Sequence, residues 1–396
     1  MSELYLYDDA TAREFEPFAL TRPVSELRAG AELIRHRWER ISGTKAAGII
    51  CAAHLADFAE GDAPVVVPSD FTIPAGSIIA NSRFVPSLAA TLSGAVASAN
   101  GQVCALRLNE DTMASEVADG LFAMGAGQEG ASTDIQGRWL GAVWDLVATL
   151  TEQLNEDIPI LGAGIKVQET SSEVFGGGKV FVEEGAKIDP LVAFDTSSGP
   201  ILIRKDATVA AFTRLVGPLV VGEHAVLMGD SISGCSIGEW CKVRGEISNT
   251  VLLGHCNKGH AGFVGHSYLG RWVNLGSGTT TSNLKNTYGT VQMWSPRGIV
   301  DTGLQFLGTL FGDHAKTGIG MMLTTGSVIG AGANIFGTTM PPKAVAPFSW
   351  GDSEPYSTFE EEKFLDVATL VMARRHVELD ERGRQHLKTC YARRWS

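Results

Sequence analysis

A chain of 396 residues, with 44% apolar and 19% charged residues, exceeds the size of one hydrophobic core and predicts a globular protein of at least two domains. Its formal net charge of −12 argues against nucleic-acid binding, and the lack of an apolar run of about 18 residues argues against a membrane-spanning helix. The six cysteines form no C-x-x-C pair, and the N-terminus has acids where a signal peptide would be basic, which favours a reduced, cytoplasmic setting.

Residues 1–158 alternate between short β-rich runs and helical patterns. The β-rich runs cover residues 4–7, 48–52, 65–67 and 103–108. Apolar side chains at three- and four-residue steps predict a helix that begins at Pro23. Its stripe consists of Val24, Leu27, Ala31, Ile34, Trp38 and Ile41. A second helix is predicted from Val143 to Leu154. Such alternation predicts an α/β domain with a mainly parallel sheet.

A six-residue rhythm begins after FGGGK at residues 175–179. The inward positions at this step are Val182, Ile188, Phe194, Ile203, Val209, Leu215, Val221, Leu227, Ile237, Val243, Phe263, Leu269, Leu275, Thr281, Ile329 and Ile335. This period fits neither a helix stripe nor a hairpin meander, but it fits a triangular coil with one short strand on each side. Residues 175–350 are therefore predicted to form a left-handed parallel β-helix of hexapeptide repeats; a β-sandwich with coincidental spacing is the alternative.

Two further segments depart from the six-residue rhythm. The rhythm lapses between about Ser282 and Lys316, which predicts a loop that projects from the coil. Residues 354–396 return to a helical pattern and predict a C-terminal helical tail. The apolar face of this pattern consists of Phe364, Val367, Leu370 and Val371. Its basic clusters are interpreted as a solvated face rather than a partner-binding surface.

Several short segments resemble one family of sugar-nucleotide enzymes. They are Lys258-Gly259-His260, VNLGSGT at 273–279, Ser282-Asn283, KTGIG at 316–320 and Gly326-Ser327. Together they resemble the acetyltransferase half of the bifunctional family that combines glucosamine-1-phosphate N-acetyltransferase with N-acetylglucosamine-1-phosphate uridyltransferase. A second set resembles a divergent branch in which a sugar nucleotidyltransferase domain precedes the β-helix. It consists of Phe15, Pro17, Thr21-Arg22-Pro23, Glu26-Leu27-Arg28 and Gly30.

The resemblance implies an acetyl-CoA-dependent N-acetyltransferase that acts on a hexosamine 1-phosphate, with His260 as the general base. The acceptor amine must lose a proton as it attacks the thioester, and a histidine, with an ordinary pKa of about 6.5, suits that role. The alternative for His260 is simple packing at a corner of the coil. For the neighbouring His255 and His266, packing is the favoured interpretation.

The other implied contacts divide by ligand. Those for the acceptor are Arg244, Lys258, Asn274, Asn283 and Lys285. Those for acetyl-CoA are Ser277, Gly326, Ser327 and Lys343. The guanidinium of Arg244 suits the acceptor phosphate, and a hydroxyl or N–H at Ser327 suits a tetrahedral intermediate. Asn274 is equally consistent with a structural ladder of side chains.

The same resemblance implies nucleotidyl transfer by the N-terminal domain, with a nucleoside triphosphate and Mg²⁺, but the residues depart from the family pattern. Asp8-Asp9-Ala10-Thr11 replaces the glycine-rich loop after the first strand, and Asn81-Ser82-Arg83 replaces the segment with the metal-binding aspartate. The candidate nucleotide or phosphate contacts are Asp8, Arg13, Arg22 and Arg28. The metal ligands stay unassigned.

Two departures concern the coil. The family's tyrosine after the catalytic histidine is Phe263 here, and the segment 286–305 separates Asn283 from Lys316, which leaves the acceptor sugar open. In the resembled enzymes three β-helices pack side by side with acyltransferase sites between subunits, so a homotrimer is implied.

Two other functions stay open: nucleotidyl transfer alone with the β-helix as a trimerising scaffold, and a non-catalytic sugar-nucleotide sensor.

Overall fold

The computed structural model describes residues 2–117, 120, 132–165 and 173–395. The chain forms two compact units, one of residues 1–143 and 380–393 and the other of residues 144–379 and 394–396. The predicted succession of an α/β domain, a parallel β-helix and a helical C-terminal segment is confirmed. Among the described residues, no helix has both the length and the apolar character needed to cross a bilayer.

A seven-stranded sheet forms the core of the first unit. Its strands lie in the order Ser132–Asp134, Val96–Ala99, Gln102–Arg107, Ile78–Asn81, Leu4–Tyr7, Ala46–Ile50 and Val65–Val66. Neighbouring strands are parallel, except that Gln102–Arg107 is antiparallel to both of its neighbours. Leu4–Tyr7 is buried along its whole length, as expected of a central strand covered on both faces. The mainly parallel sheet predicted for this domain is confirmed.

The first predicted helix starts later than its apolar stripe indicated, because it covers only Ile34–Ser42. Three short elements precede it: the 3₁₀ turn Val24–Glu26 and the paired strands Arg28–Ala29 and Glu32–Leu33. Gly30 has a φ of +63° between those strands, which glycine adopts at little steric cost. All six residues of the stripe are buried. The stripe therefore indicated burial correctly, but the helix predicted from Pro23 was wrong over its first half.

Short elements complete the first unit. The paired strands are Thr72–Ile73 with Thr112–Met113 and Phe84–Pro86 with Gly137–Trp139. The helical elements are Ala12–Glu14, Ala53–Leu55, Ala114–Val117 and Glu381–Ala392. Helix Glu381–Ala392 packs through His386, whose Nε2 lies 2.8 Å from the carbonyl oxygen of Thr21. The C-terminal segment therefore does not form a separate body.

The second unit is a three-sided parallel β-helix. Side 1 consists of Glu173–Phe175, Ala193–Asp195, Thr213–Val216, Asp230–Ser233, Glu246–Ser248 and Phe263–Gly265, followed by Thr280–Thr281 and Met322–Leu323. Side 2 consists of Val180–Val182, Ile201–Ile203, Leu219–Val221, Ser236–Ile237, Val251–Leu252, Tyr268–Leu269, Thr309–Phe311, Ser327–Ile329 and Ala344–Val345. Side 3 consists of Lys187–Ile188, Thr208–Val209, Val226–Leu227, Lys242–Val243, Asn257–Lys258, Asn274–Leu275, Lys316–Thr317, Asn334–Ile335, Ser349–Gly351 and the antiparallel Ser357–Thr358.

The inward side chains of the three sides stack in one apolar column. Most of the positions predicted from the six-residue step belong to it, but Phe263 does not. Val264 occupies the column, and Phe263 lies on the outer face of side 1. The interval from Val264 to Leu269 is five residues, so a strict six-residue step back from Leu269 selects the neighbouring residue.

The corner between sides 2 and 3 carries a column of left-handed residues. They are Asp206, His224, Trp240, His255, Trp272, His314 and Phe348, with φ between 57° and 64°. Adjacent rings stack, as in His224 and Trp240, whose centroids are 4.4 Å apart. The helix Glu361–Ala373 covers the far end of the column, where Phe364 packs edge-on against Phe348. Leu370 was wrongly predicted on the apolar face of this helix, because it is 67% exposed.

The predicted projecting loop is an insert of residues 282–308, which is shorter than expected. The coil resumes with Thr309–Phe311 on side 2, so the prediction that the loop extends to Lys316 was wrong. The interior residue of this strand, Phe311, has no apolar partner six residues earlier, which hid the strand in the sequence. The insert itself contains the hairpin Gln292–Ser295 with Gly298–Asp301.

Within the described residues of the second unit, the structure contains three helices. The helix predicted from Val143 to Leu154 consists of two pieces, Asp145–Ala148 and Leu150–Leu161. The third is Glu361–Ala373. Beyond it, the ring of Trp395 stacks on Trp294 of the insert hairpin with centroids 3.9 Å apart. The insert is therefore held by an aromatic contact in addition to its two chain connections.

Candidate functional site

His260 lies at the corner between sides 3 and 1, shortly after the strand Asn257–Lys258. Its side chain is exposed, and its ring has no hydrogen-bond partner among the described residues. The corner stays narrow because Gly262 has a φ of +128°, and a Cβ there would lie 2.3 Å from the carbonyl oxygen of Thr279. The imidazole is thus open to solvent and free to accept a proton.

The ammonium group of Lys258 fixes the backbone at this corner. The side chain points into the coil, where the preceding turn places Val243, and it is 1% exposed. Its Nζ donates to the carbonyl oxygens of His260, Ala261 and Arg244, the last two at 3.2 and 3.3 Å. Burial lowers the pKa of Lys258 to about 8. Lys258 therefore positions the corner, and its contact with an acceptor stays a prediction.

Arg244 and Ser277 occupy the same corner in the turns before and after His260. Both side chains are solvent-accessible. The Nε of Arg244 lies 3.2 Å from Oδ2 of Asp230, and each of these two side chains is about half exposed. The carbonyl groups of Arg244 and His260 accept from one ammonium. Three of the predicted site residues are therefore brought together on one exposed corner.

Asn274 lies on the outer face of side 3 within a ladder of polar side chains. Its Oδ1 accepts a hydrogen bond of 2.6 Å from Nδ2 of Asn257, and its partner in the next turn is Lys316. Burial lowers the pKa of Lys316 to about 8, and its Nζ donates to the carbonyl oxygen of His314 at 2.9 Å. These contacts fit the structural ladder that the sequence left open; contact of Asn274 with an acceptor stays a prediction.

The two neighbouring histidines differ from His260. The Nδ1 of His255 lies 3.0 Å from Nη1 of Arg271, and its ring packs on Trp272. His266 has partners at both ring nitrogens, described below. Packing, the favoured interpretation for both, agrees with these contacts. Of the three histidines, His260 alone presents a free ring.

Asn283 lies at the base of the insert, where it contacts His266, and not at the corner that carries His260. Its amide lies 2.8 Å from Nδ1 of His266, whose Nε2 lies 3.0 Å from the amide of Asn249. Phe306 stacks on the same imidazole with centroids 5.2 Å apart, and burial lowers the pKa of His266. Asn283 therefore lies at the corner between sides 1 and 2, across side 1 from His260.

Gly326 and Ser327 are buried next to the insert. The N–H of Gly326 donates to the carbonyl oxygens of Leu307 and Gly308 at 3.1 and 2.8 Å. The hydroxyl of Ser327 donates to the carbonyl oxygen of Thr324 at 2.9 Å and is fully buried. Both groups therefore donate to backbone carbonyl oxygens of the protein, and their contact with acetyl-CoA stays a prediction. Lys343 lies beside them, because its Nζ donates to the carbonyl oxygen of Thr325. Ser277, predicted for the same ligand, lies at another corner, so three of the four predicted acetyl-CoA contacts are brought together.

Lys343 and Lys285 both donate to backbone carbonyl oxygens of the insert. Lys343 Nζ donates to the carbonyl oxygens of Gln292 and Thr325, both at 2.7 Å. Lys285 Nζ donates to the carbonyl oxygen of Thr290. Burial, and then the nearby charge of Lys285, lower the pKa of Lys343. Their predicted contacts with acetyl-CoA and the acceptor stay predictions.

A second polar cluster lies where strands Leu4–Tyr7 and Ile78–Asn81 end. The guanidinium of Arg83 grips the carboxylate of Asp9 through Nε at 2.7 and 2.9 Å and through Nη2 at 2.6 Å. Asn81 Nδ2 and the N–H of Ala12 donate to the same carboxylate at 3.0 and 2.8 Å. Burial raises the pKa of Asp9, but these hydrogen bonds outweigh it and leave the pKa below its ordinary value.

Most of the predicted phosphate contacts of this unit are buried and form hydrogen bonds or ion pairs within the protein. Asp8 is buried, accepts from the N–H of Val24 at 3.0 Å, and has its pKa raised by burial to about 6. The positive charge of Arg13 partly offsets that rise.

The other two predicted arginines are buried. Arg22 Nη1 lies 2.7 Å from Oε2 of Glu60, and Arg28 Nη1 donates to the carbonyl oxygen of Ala31 at 2.6 Å. The structure therefore does not assemble the three arginines into an open anion site.

The residues of the polar cluster around Asp9 do not fit a Mg²⁺ site. The ion prefers open carboxylate oxygens together with water, whereas Asp9 is neutralised by Arg83 and Asp8 is buried. In the described part of the chain, no group of three or more His, Cys, Asp or Glu side chains is placed to hold a metal. Sequence reasoning missed the pairing of Asp9 with Arg83; the cationic residue in place of a metal-binding aspartate was the signal that pointed to it.

Comparison with known proteins confirms the resemblance at low identity. Residues 4–166 match the family described as sugar nucleotidyl transferase. The chain is 24% identical over 205 residues to the bifunctional protein GlmU of Methanococcus vannielii, covering 51% of this chain and 44% of that protein. It is 26% identical over 150 residues to the bifunctional sugar-1-phosphate nucleotidylyltransferase/acetyltransferase of Sulfurisphaera tokodaii, with 35% of each chain covered.

A third relative is the bifunctional protein GlmU of Desulfitobacterium hafniense, 27% identical over 228 residues, with 47% of this chain and 46% of that protein covered. The chain thus spans less than half of the length of these relatives. The matched family is described as sugar nucleotidyl transferase, and the Sulfurisphaera tokodaii relative is named as a nucleotidylyltransferase/acetyltransferase; both support the transferase class for this chain.

Proposed function

We propose that this chain is a transferase whose β-helix acetylates the amino group of a hexosamine 1-phosphate from acetyl-CoA, with His260 as the general base. The observation that carries the proposal is the free, exposed imidazole of His260 on a corner that Lys258 holds in place. The name of the Sulfurisphaera tokodaii relative includes acetyltransferase activity, which supports the same reaction class.

The proposed step needs one proton acceptor. The acceptor's neutral amine attacks the thioester carbonyl, the new C–N bond forms, and the amine proton passes to the imidazole of His260. The C–S bond then breaks and coenzyme A leaves as a thiol or thiolate. Arg244 is available on the same corner for the acceptor phosphate if its exposed pair with Asp230 opens, because exposed ion pairs are weak.

Release of free thiol from acetyl-CoA in the presence of glucosamine 1-phosphate tests this proposal. We expect His260→Gln to lower kcat by about 10²- to 10⁴-fold, the usual contribution of a general base, without a change in melting temperature. His376→Gln is the matched control, because His376 is an exposed histidine outside the coil. Undiminished turnover in His260→Gln would refute the assignment.

The family match over residues 4–166 favours a second activity, nucleotidyl transfer to a sugar 1-phosphate by the first unit. Pyrophosphate release from a nucleoside triphosphate and a sugar 1-phosphate measures it. Activity that persists in His260→Gln without any thiol release would favour a β-helix that serves as a scaffold. Binding of sugar nucleotides without either turnover would instead favour a sensor.

A homotrimer is part of the proposal, because the resembled enzymes build acyltransferase sites between subunits. Light scattering on the full chain measures its mass. A stable monomer that still releases thiol would show that the corner of His260 works without a second subunit.

A further inference from the structure

The cluster around Asp9 lies at the point of the first unit's sheet where a ligand is expected. Strand Leu4–Tyr7 is flanked by the parallel strands Ala46–Ile50 and Ile78–Asn81. The chain leaves Leu4–Tyr7 toward one edge of the sheet and returns to Ile78–Asn81 on its other side. Ligands of open α/β sheets bind outside the carboxyl ends of strands at such a switch point.

The carboxylate of Asp9 fills a cradle of four donor groups at this point. Arg83 supplies two of them, Nε and Nη2, Asn81 supplies its side-chain amide, and Ala12 supplies its backbone N–H. A guanidinium fork, an amide and a loop N–H are the donors that proteins use for phosphoryl oxygens. The cradle therefore matches an oxyanion, and a side chain of the protein supplies that oxyanion here.

Arg83 and Asn81 have anchors other than Asp9, whereas the N–H of Ala12 belongs to the turn that Asp9 begins. Arg83 Nη1 donates to the carbonyl oxygen of Leu140 at 2.7 Å, and its guanidinium lies 5.3 Å from the centre of the Trp139 ring. The N–H of Arg83 donates to Oδ1 of Asn81 at 2.8 Å, which orients that amide. The loop that carries Asp9 continues into the exposed Ala10. Rotation of the Asp9 carboxylate would therefore leave the Arg83 and Asn81 donors in place.

We propose that the first unit contains a metal-independent binding site for phosphoryl groups, formed by Arg83, Asn81 and the N–H of Ala12 and closed in the free protein by the carboxylate of Asp9. The guanidinium takes the electrostatic place that a divalent cation would hold beside a phosphate chain. This site does not depend on acetyl transfer by the β-helix; it concerns how the first unit takes a nucleotide or a sugar phosphate.

Asp9 acts in this proposal as a tethered competitor. A tethered group has an effective concentration in the millimolar range or above, and the apparent affinity for an external ligand falls by the fraction of open sites. Removing the negative charge at position 9 should strengthen phosphate binding, whereas removing a metal-binding carboxylate should weaken it. The direction of the change therefore separates the two kinds of site.

Calorimetric titration of the full chain with inorganic pyrophosphate, in EDTA and then in excess Mg²⁺, tests the proposal. We expect Asp9→Asn to bind pyrophosphate about tenfold or more tightly than the wild type in EDTA. Adding Arg83→Met to Asp9→Asn should abolish this gain. Mg²⁺ should change the affinity of Asp9→Asn by less than about twofold once its own pyrophosphate complex is accounted for.

The controls keep the outcome decisive. Asp70→Asn makes the same charge change at an exposed position of the same unit and should bind as the wild type does. Asp9→Ser provides a second open cradle should Asp9→Asn fold poorly, and the thiol-release assay reports the integrity of the β-helix. Equal affinity in the wild type and both Asp9 variants, or binding that requires Mg²⁺, would overturn the proposal.

Parallel titrations identify the source of the phosphoryl group. UTP and N-acetylglucosamine 1-phosphate are the two probes. Tightening of UTP in Asp9→Asn assigns the cradle to the nucleotide, and tightening of the sugar phosphate assigns it to the acceptor. A failed result here leaves the acetyl-transfer test unaffected, because that test reads thiol release from a different unit.

Discussion

Replacing Lys258 with methionine removes an ammonium group from the interior of the coil and leaves a side chain of similar length. Burial lowers the pKa of Lys258 from 10.5 to about 8, which corresponds to about 3 kcal/mol against the charged form. Solvent at the corner screens part of this charge. We therefore expect the buried ammonium to lower the free energy of unfolding by about 1–2 kcal/mol at neutral pH. The folded pKa lies below the unfolded pKa, so the unfolded chain binds more protons between pH 8 and 10.5 and stability rises with pH in that window.

Denaturant titrations of the wild type and Lys258→Met, at about pH 7 and about pH 10, measure the effect. The free energy of unfolding of the wild type should gain about 1–2 kcal/mol relative to the variant between these conditions. Lys242→Met is the matched control, because Lys242 is an exposed lysine on the same side of the coil, one turn earlier. Equal pH dependence in the wild type and Lys258→Met would show that the ammonium is solvated, and the reasoning would fail.

Other substitutions test the packing of the two units. Asp8→Asn should raise the melting temperature at about pH 7.5 but not at about pH 4. Burial raises the pKa of Asp8 from 3.8 to about 6, so stability falls with rising pH between these two values, and above them the buried charge costs about 3 kcal/mol; equal shifts at both pH values would contradict this. Gly326→Ala should cost about 2–4 kcal/mol, since φ is +65° and a Cβ would lie 2.3 Å from a carbonyl oxygen of the insert. Gly320→Ala, at φ +71° with open space around it, should cost only about 1 kcal/mol, and calorimetry compares the two. Trp395→Ala should remove about 1 kcal/mol of aromatic stacking on Trp294 and speed hydrogen exchange in the insert hairpin; unchanged exchange would argue against the contact.

The period of the coil was readable from the sequence because an inward side chain must recur once per side. What the period did not reveal is where a side is shorter than six residues, and Phe263 was misplaced for that reason. Lys258 illustrates a second limit: residue type alone does not reveal whether a charged side chain points into the coil or away from it. Its charge suggested a substrate contact, whereas three carbonyl oxygens at the corner make an interior position acceptable for an ammonium group.

In the first unit the sequence predicted the sheet and its burial, but not the local path of the chain. The spacing of the stripe that begins at Val24 fits a helix throughout, but the backbone is extended at Leu27 and Leu33 and turns at Gly30. Asp9 and Arg83 lie 74 residues apart, and no local pattern links them. Their pairing depends on two strands that end side by side, which is a property of the sheet.

The insert leaves side 1 after Thr281 and rejoins the coil at Thr309 on side 2. The insert therefore takes the place of one corner of the coil, between two consecutive sides. Such an arrangement separates changes in the insert from changes in the coil. The segment can be lengthened, shortened or exchanged as one contiguous piece, while the corner that carries His260 keeps its backbone. The insert can thus vary in length and sequence without a change in the register of the coil.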